Sequence, residues 1–424
     1  MSTVNVVTNT PLDPVVPVNS VEPTVAKGDD CVFVTESFFN RLSVDGGATF
    51  QAFAWSIPYQ VFPGATTKDF FGDQSVIWAP QTQRFIWAML HTPTGAPRRQ
   101  IRIAYTSSAV MKGSQGKIWT WLDIDPQQLG LTDSFDYPQL SLGENFLYIT
   151  AHHAPGVKVT GVAIMRIALK DLVAMDSHSV GIQYWVSNST SNFGVAQRCG
   201  SRAYWGSHEN TSNLFRLYFW DESSNSIQHG DVSIPTWDNT NFQSLTPDEF
   251  DWMQNAWARI TGTRVGSSDL VFGWTAGRDK DRPHPYIYLI QIRQDLKTQA
   301  LTLTGLRHIW NRDHAWAFAG LGSVPQAGER APLALSCAWG GGNRYFPTHV
   351  VGFVDMPLSG GSNYTNVGVS GCTVGAARWG DFVTVGIDDM LDGVFTTAGY
   401  EVDKSSKFTS GTQSVTHFVK FTSL

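Results

Sequence analysis

The feature that most constrains this chain is a repeat of short strand-like runs, each bounded by Gly, Asn, Asp or Ser, that group in fours. One group reads VEPTVAK, CVFVTES, FNRLSVD and TFQAFAW, and the next reads DQSVIWAP, RFIWAML, QIRIAYTS and KIWTWLDI. With Val25, Val76, Leu140, Val195, Ile260, Phe318 and Phe382 as equivalent first-strand positions, the spacing runs from 51 to 65 residues and averages 59.5. Seven such units account for the 424 residues. The last unit, WGDFVTVGI, GVFTTAGYEV and VTHFVKF, is one strand short, and VNVVTN at residues 4–9 can supply it. A ring closed in this way leaves no open sheet edge. The expectation is an all-β, seven-bladed β-propeller of four-stranded antiparallel blades, with the N-terminal strand closing the last blade.

The blades are placed at about 20–56, 73–125, 136–187, 193–235, 256–310, 315–369 and 377–421 with 4–9, all within one domain, 1–424. A pair of β-sandwiches would show similar strands but would not need a four-strand repeat of constant length. Helical periodicity is confined to LKDLVAM near Leu169 and to Thr246–Ala258. In the latter, Thr246-Pro247-Asp248-Glu249 resembles an N-cap followed by Pro and two acids. Sixteen Trp suit the flat space between packed blades, and a charged fraction of only 16% suits strands buried on both faces. The same numbers exclude a disordered chain and a coiled coil.

A net charge of -6 with no run of five like charges lacks the footprint of a nucleic-acid or membrane-surface protein. No apolar stretch is long enough to span a bilayer. The opening MSTVNVVTNTPLDPVVPVN has neither a basic n-region nor an apolar h-region, yet a secreted, extracellular location is the expectation. Cys31, Cys199, Cys337 and Cys372 form no zinc pattern and read as buried free thiols.

Within the first unit, Ser43-Val44-Asp45-Gly46-Gly47-Ala48-Thr49-Phe50 matches S-x-D-x-G-x-T-F/W. This Asp-box resembles the repeat of sialidase-like propellers, where it sits between the third and fourth strands of a blade. The strand reading places it there independently. The segment Ala377-Arg378-Trp379-Gly380-Asp381-Phe382 also resembles a first-strand signature of such propellers. The likeness implies a propeller with its ligand at one mouth of the axial channel, on the face opposite the Asp-box. A typical sialidase would add Arg-Ile-Pro, three spaced arginines gripping a carboxylate, and a Tyr/Glu nucleophile pair. Arg-Ile-Pro is missing, and only Arg259 and Arg378 are arginines at first-strand starts, so sialidase activity is not expected.

The innermost strands of a propeller line its channel, and polar groups from several blades converge at its mouth. Asp73, Asp136 and Asp381, working with His208 or Arg259, are the catalytic candidates, because glycosidic chemistry needs paired carboxylates and a proton-transfer partner. Glu22, Tyr137, Gln139, Gln197, Trp316 and Arg378 are the ligand-binding candidates. Each has a structural alternative: strand-start polar residues can tie blades together, and a lone His is commonly a core residue. No P-loop, GxSxG elbow, HExxH or dinucleotide fingerprint is present, so no cofactor is required and no metal site is assigned. Calcium is a candidate only at the acidic turn Asp388-Asp389-Met390-Leu391-Asp392-Gly393. The run Gly340-Gly341-Gly342-Asn343-Arg344-Tyr345 reads as a ligand-approaching backbone or a hairpin loop. The functional expectation is a carbohydrate-active enzyme, hydrolase or lyase, with a small-molecule or glycan ligand. The alternatives are a non-catalytic glycan-binding or scaffold propeller and a biosynthetic enzyme on the same fold.

Overall fold

A computed structural model describes the chain outside residues 1–2, 13–21, 38, 53–60, 63, 67–68, 155–158, 174–179, 191, 210, 255, 267, 325–331, 373–378, 380–382, 390–392 and 404–412. Its described strands fall into seven four-stranded antiparallel units. Their innermost strands are Thr24–Gly28, Phe70–Ala79, Ser134–Leu142, Phe193–Gln197, Thr261–Val265, Ala315–Gly322 and Val385–Asp389. In each of the first six, the other three strands follow outward in chain order. The seventh is completed by Val4–Pro11, which pairs antiparallel with Gln413–Ser423 from Val4 opposite Ser423 to Pro11 opposite His417.

The inner strands succeed one another around an axis. The Val76 amide donates to the Thr24 hydroxyl, linking the first two blades, and the Tyr137 amide donates to Asp73, linking the second and third. Gln139 joins the third to the fourth by accepting from the Val195 amide. Thr263 and Ser323 hydroxyls meet at 2.9 Å between the fifth and sixth. Ser336 accepts from Thr397 between the sixth and seventh, and the Val25 amide donates to Thr384, which closes the ring. One junction is different: the fourth and fifth inner strands pair directly and in parallel, Ala196 with Gly262 and Gln197 with Thr263, so two blades merge into one eight-stranded sheet. Only glycines allow that approach, since a Cβ on Gly194 would lie 2.1 Å from the Ile260 carbonyl oxygen.

Burial explains the residue types. Second strands such as Cys31–Thr35 and Asp269–Ala276 are buried throughout because a neighbouring blade covers each face, and they read as near-continuous apolar runs. Outer strands such as Gln228–Ser233 are largely exposed and polar. Aromatic side chains fill the spaces between blades. Trp205, Trp220 and Trp274 are fully buried in a cluster with Tyr148, Phe215 and Phe272. All four cysteines are buried and none is in a disulfide.

The turn at Ser43–Phe50 lies between the strands Asn40–Ser43 and Gln51–Ala52. Asp45 accepts from the Ser43 hydroxyl at 2.7 Å and from both the amide and the hydroxyl of Thr49. These bonds, Ser43 first and then Thr49, pull the Asp45 carboxyl down to about 2. In the second blade the corresponding connection is a short helix, α1 (Ser108–Ser114), capped by the Ser107 hydroxyl on the Val110 amide. Sequence periodicity did not reveal it.

The helix expected at Thr246–Ala258 is not formed. Leu245 makes an isolated antiparallel bridge with Asp251, Glu249 is left-handed at φ 61, and Asp251 accepts from the Ser244 and Met253 amides. Side-chain acceptors have taken the main-chain donors a helix would use. LKDLVAM holds a single 3-10 turn, Leu169–Leu172.

Candidate active site at one mouth of the axial channel

Three inner strands carry a bulge near their starts: between Phe71 and Gln74, between Asp136 and Gln139, and between Ala317 and Gly320. A bulge sets two residues against one and redirects a side chain. At Tyr137-Pro138 the cause is legible, since proline has no N–H for the ladder. Tyr137 and Phe318 are left-handed at φ 52 and 57, and Glu22, just ahead of the first inner strand, at φ 69. Each such non-glycine residue costs roughly 1–2 kcal/mol; others, Arg198 among them, lie elsewhere in the molecule.

Trp257 and Arg259 reach one mouth of the channel from the fifth blade at the end of a long connection, residues 234–260. That connection is tied down by Gly277 donating to the Asp238 carbonyl, by Asn343 donating to the Leu245 carbonyl, and by Trp252 packing against Phe318 and Trp379. The Arg259 guanidinium carbon lies 3.7 Å from the Tyr137 ring centre and 4.1 Å from that of Trp257. Asp73 accepts from the Tyr137 amide at 3.2 Å. Burial pushes the Tyr137 hydroxyl up, Arg259 opposes this by charge and hydrogen bond, and the charges of Glu22 and Asp73 reinforce it. His152 stands 5.8 Å from both the Tyr137 and Trp257 rings. Burial first, then the Arg259 charge, pulls it down to about 3, so it is neutral at physiological pH.

A cavity of about 1450 Å³ follows the axis, lined at this mouth by Tyr137, Trp257, Arg259 and Phe318. At the other end Lys27, Arg198, Arg264 and Asp388 line it. There the charges are engaged in ties. Lys27 and Lys420 both pair with Asp388, Arg198 donates to the Ser323 carbonyl, and Arg264 donates to that of Cys199. Asp388 of the acidic turn is thus held by two lysines, and 390–392 lie outside the described residues. Among the described residues no group of three or more His, Cys, Asp or Glu could hold a metal ion.

No protein-family model matches the chain, and no curated protein is similar to it in sequence. Solved structures are similar in shape. The chain is 7% identical to NanB bound to Optactamide, covering 75% of this chain and 64% of that one, with a TM-score of 0.44. It is 9% identical to the GH93 alpha-L-arabinofuranosidase of Fusarium graminearum complexed with arabinobiose, covering 96% and 95%, with a TM-score of 0.43. It is 8% identical to the Nup133 β-propeller domain of Vanderwaltozyma polyspora, covering 98% and 100%, with a TM-score of 0.42. The propeller architecture here rests on the strand order and the ring of inner strands.

Of the residues singled out in the sequence, Glu22, Asp73, Tyr137 and Arg259 come together. Gln139 and Gln197 line the cavity as inter-blade ties, donating to the carbonyls of Phe193 and Leu140. Asp136 turns the other way at its bulge and faces Arg99 at 3.8 Å on the rim. That corrects Asp136 as a member of the axial group, and two further expectations are corrected. His208 is a core residue between Trp237, Trp274 and Phe215, pulled down to about 3 chiefly by burial, and it is not in the cavity wall. Trp316 packs against Tyr364 and His314 within the sixth blade, likewise outside that wall. Arg378 and Asp381 lie outside the described residues. Trp257 and His152 were missed as site residues. Trp257 stands two positions before Arg259, and nothing local marks His152. The glycine run serves packing: a Cβ on Gly341 would meet the Ser244 hydroxyl and one on Gly342 the Asp313 carbonyl.

Proposed function

We propose that the Tyr137–Arg259 mouth binds a carbohydrate and that Glu22 and Asp73 are the acid/base pair of a glycosidase. The reading is carried by one observation: Tyr137 is held between Arg259 of the fifth blade, whose guanidinium lies 3.7 Å from its ring centre, and Asp73 of the second, which accepts from its amide, with the Glu22 charge of the first blade also felt at its hydroxyl. Glycoside hydrolysis needs one carboxyl to protonate the leaving oxygen and another to activate water or attack the sugar. Half-buried Trp257 can meet a sugar's C–H surface, and the polar groups around it can pair with hydroxyls. Two carboxylates around one guanidinium favour a neutral sugar over an acidic one.

The test is a glycan array together with a panel of aryl glycosides. Glu22→Gln and Asp73→Asn are each expected to lower kcat by roughly 100-fold or more, the usual scale for loss of acid/base catalysis, and Arg259→Ala to abolish binding. Wild-type protein that binds a glycan without cleaving any glycoside would make this a non-catalytic glycan-binding propeller. Wild-type protein that does neither would remove the carbohydrate reading.

A further inference from the structure

Beside the axial mouth, on the rim between the second and third blades, lies a cluster that the proposed reaction does not use. Phe71 is 50% exposed although it sits on an inner strand only two positions before Asp73. The Arg99 guanidinium lies over its ring at 4.9 Å, and Arg99 faces Asp136 at 3.8 Å. Asp136 immediately precedes Tyr137, so the cluster and the axial group are carried by the same two strands, side by side. The bulges at Phe71/Gln74 and Asp136/Gln139 produce this division, turning Phe71 and Asp136 to the rim while Asp73 and Tyr137 meet at the mouth. The rim is fixed in place. The Arg99 amide donates to the Ser134 hydroxyl, and the Arg99 carbonyl accepts from Phe135, pinning the loop after Arg84–His91 to the third blade.

An exposed aromatic ring flanked by a guanidinium and a carboxylate is the surface a pyranose or furanose ring recognises, with stacking for its C–H face and charged partners for its hydroxyls. Two residues of chain span at most roughly 7 Å, which keeps the cluster within about one sugar unit of Asp73. We infer that Phe71, Arg99 and Asp136 form an outer subsite that holds the second unit of a glycan chain whose first unit lies against Tyr137, Trp257 and Arg259. The inference rests on the carbohydrate reading above and makes the ligand an oligosaccharide.

Titration calorimetry with length series of one to four units of arabinose, xylose, mannose, galactose and glucose tests it. Wild-type protein is expected to gain about ten-fold in affinity from one unit to two in the series it binds, the scale of one aromatic stacking contact. In Phe71→Ala that gain is expected to fall below two-fold, and Arg99→Ala is expected to reduce it as well. An equal gain in wild type and Phe71→Ala, or no gain with length in wild type, would overturn the subsite while leaving the axial site standing. Failure of wild type to bind any member would bring down the carbohydrate reading and the subsite with it.

Discussion

His208 shows at the scale of one residue how burial overrules chemical type. An imidazole beside a predicted inner strand reads as a base, but here three aromatic rings surround it and remove the water that would stabilise its cation. His152 and His349 are likewise pulled down to about 3, burial being the largest cause in each. In the unfolded chain such histidines protonate near 6.5. Between those values the unfolded state binds the more protons, so their contribution is fully present above roughly pH 6.5 and is lost as pH falls towards 3. The melting temperature is therefore expected to drop between pH 6.5 and 4, and His208→Leu to flatten that slope. A slope equal to wild type would remove His208 as a source. What sequence could tell about the site divides along the same line. Glu22, Asp73, Tyr137 and Arg259 were found because strand starts are countable from the repeat. Asp136 and Trp316 misled because the direction of a side chain at or beside a bulge has no local signature, and His208 because the rings that bury it come from other parts of the chain.

At the scale of elements, the Ser43–Phe50 turn and α1 (Ser108–Ser114) occupy equivalent places in neighbouring blades and solve the same connection differently. The turn depends on two left-handed glycines, and they are not equivalent. A Cβ on Gly46, at φ 73, would meet nothing within 4 Å, whereas one on Gly47, at φ 97, would lie 2.2 Å from the Phe418 ring of the seventh blade. Gly46→Ala is expected to cost about 1 kcal/mol from backbone conformation alone. Gly47→Ala is expected to cost about 3 kcal/mol, because crowding against Phe418 is added. Chemical denaturation of both variants checks the difference, and equal losses would mean that Phe418 yields freely. The turn was readable because its residues act on one another within eight positions. Within the connection at 234–260, Thr246–Ala258 was misread as helical because Asp251 takes the Ser244 and Met253 amides and Trp252 is drawn to Phe318, far along the chain.

For the whole molecule, the repeat was enough to foresee the four-strand units and the joining of Val4–Pro11 to Gln413–Ser423, since both follow from strand periodicity summed around a ring. The uneven seams between blades were not foreseeable, because they arise from contacts between units rather than within them. Ring closure makes a direct prediction. Removing residues 1–11 would bare the edge of Gln413–Ser423, a strand whose partner hydrogen bonds run along most of its length. The truncated protein is expected to melt several degrees lower and to associate with rising concentration in size-exclusion chromatography, and a peptide VNVVTNTP added in trans to reverse both effects. A monomeric truncation with wild-type stability would show that the strand is dispensable.

The parallel pairing of Ala196 with Gly262 gives the ring a mechanical polarity. Continuous pairing of their inner strands welds the fourth and fifth blades into one sheet, while other junctions are held by side-chain ties and isolated main-chain bonds such as Phe135 to Arg99 and Trp316 to Pro285. Arg259 and Trp257 stand at the edge of that sheet. Glu22 and Asp73 belong to the first and second blades across the mouth, so any breathing of the ring is felt there as a change in the gap between two carboxylates and one guanidinium.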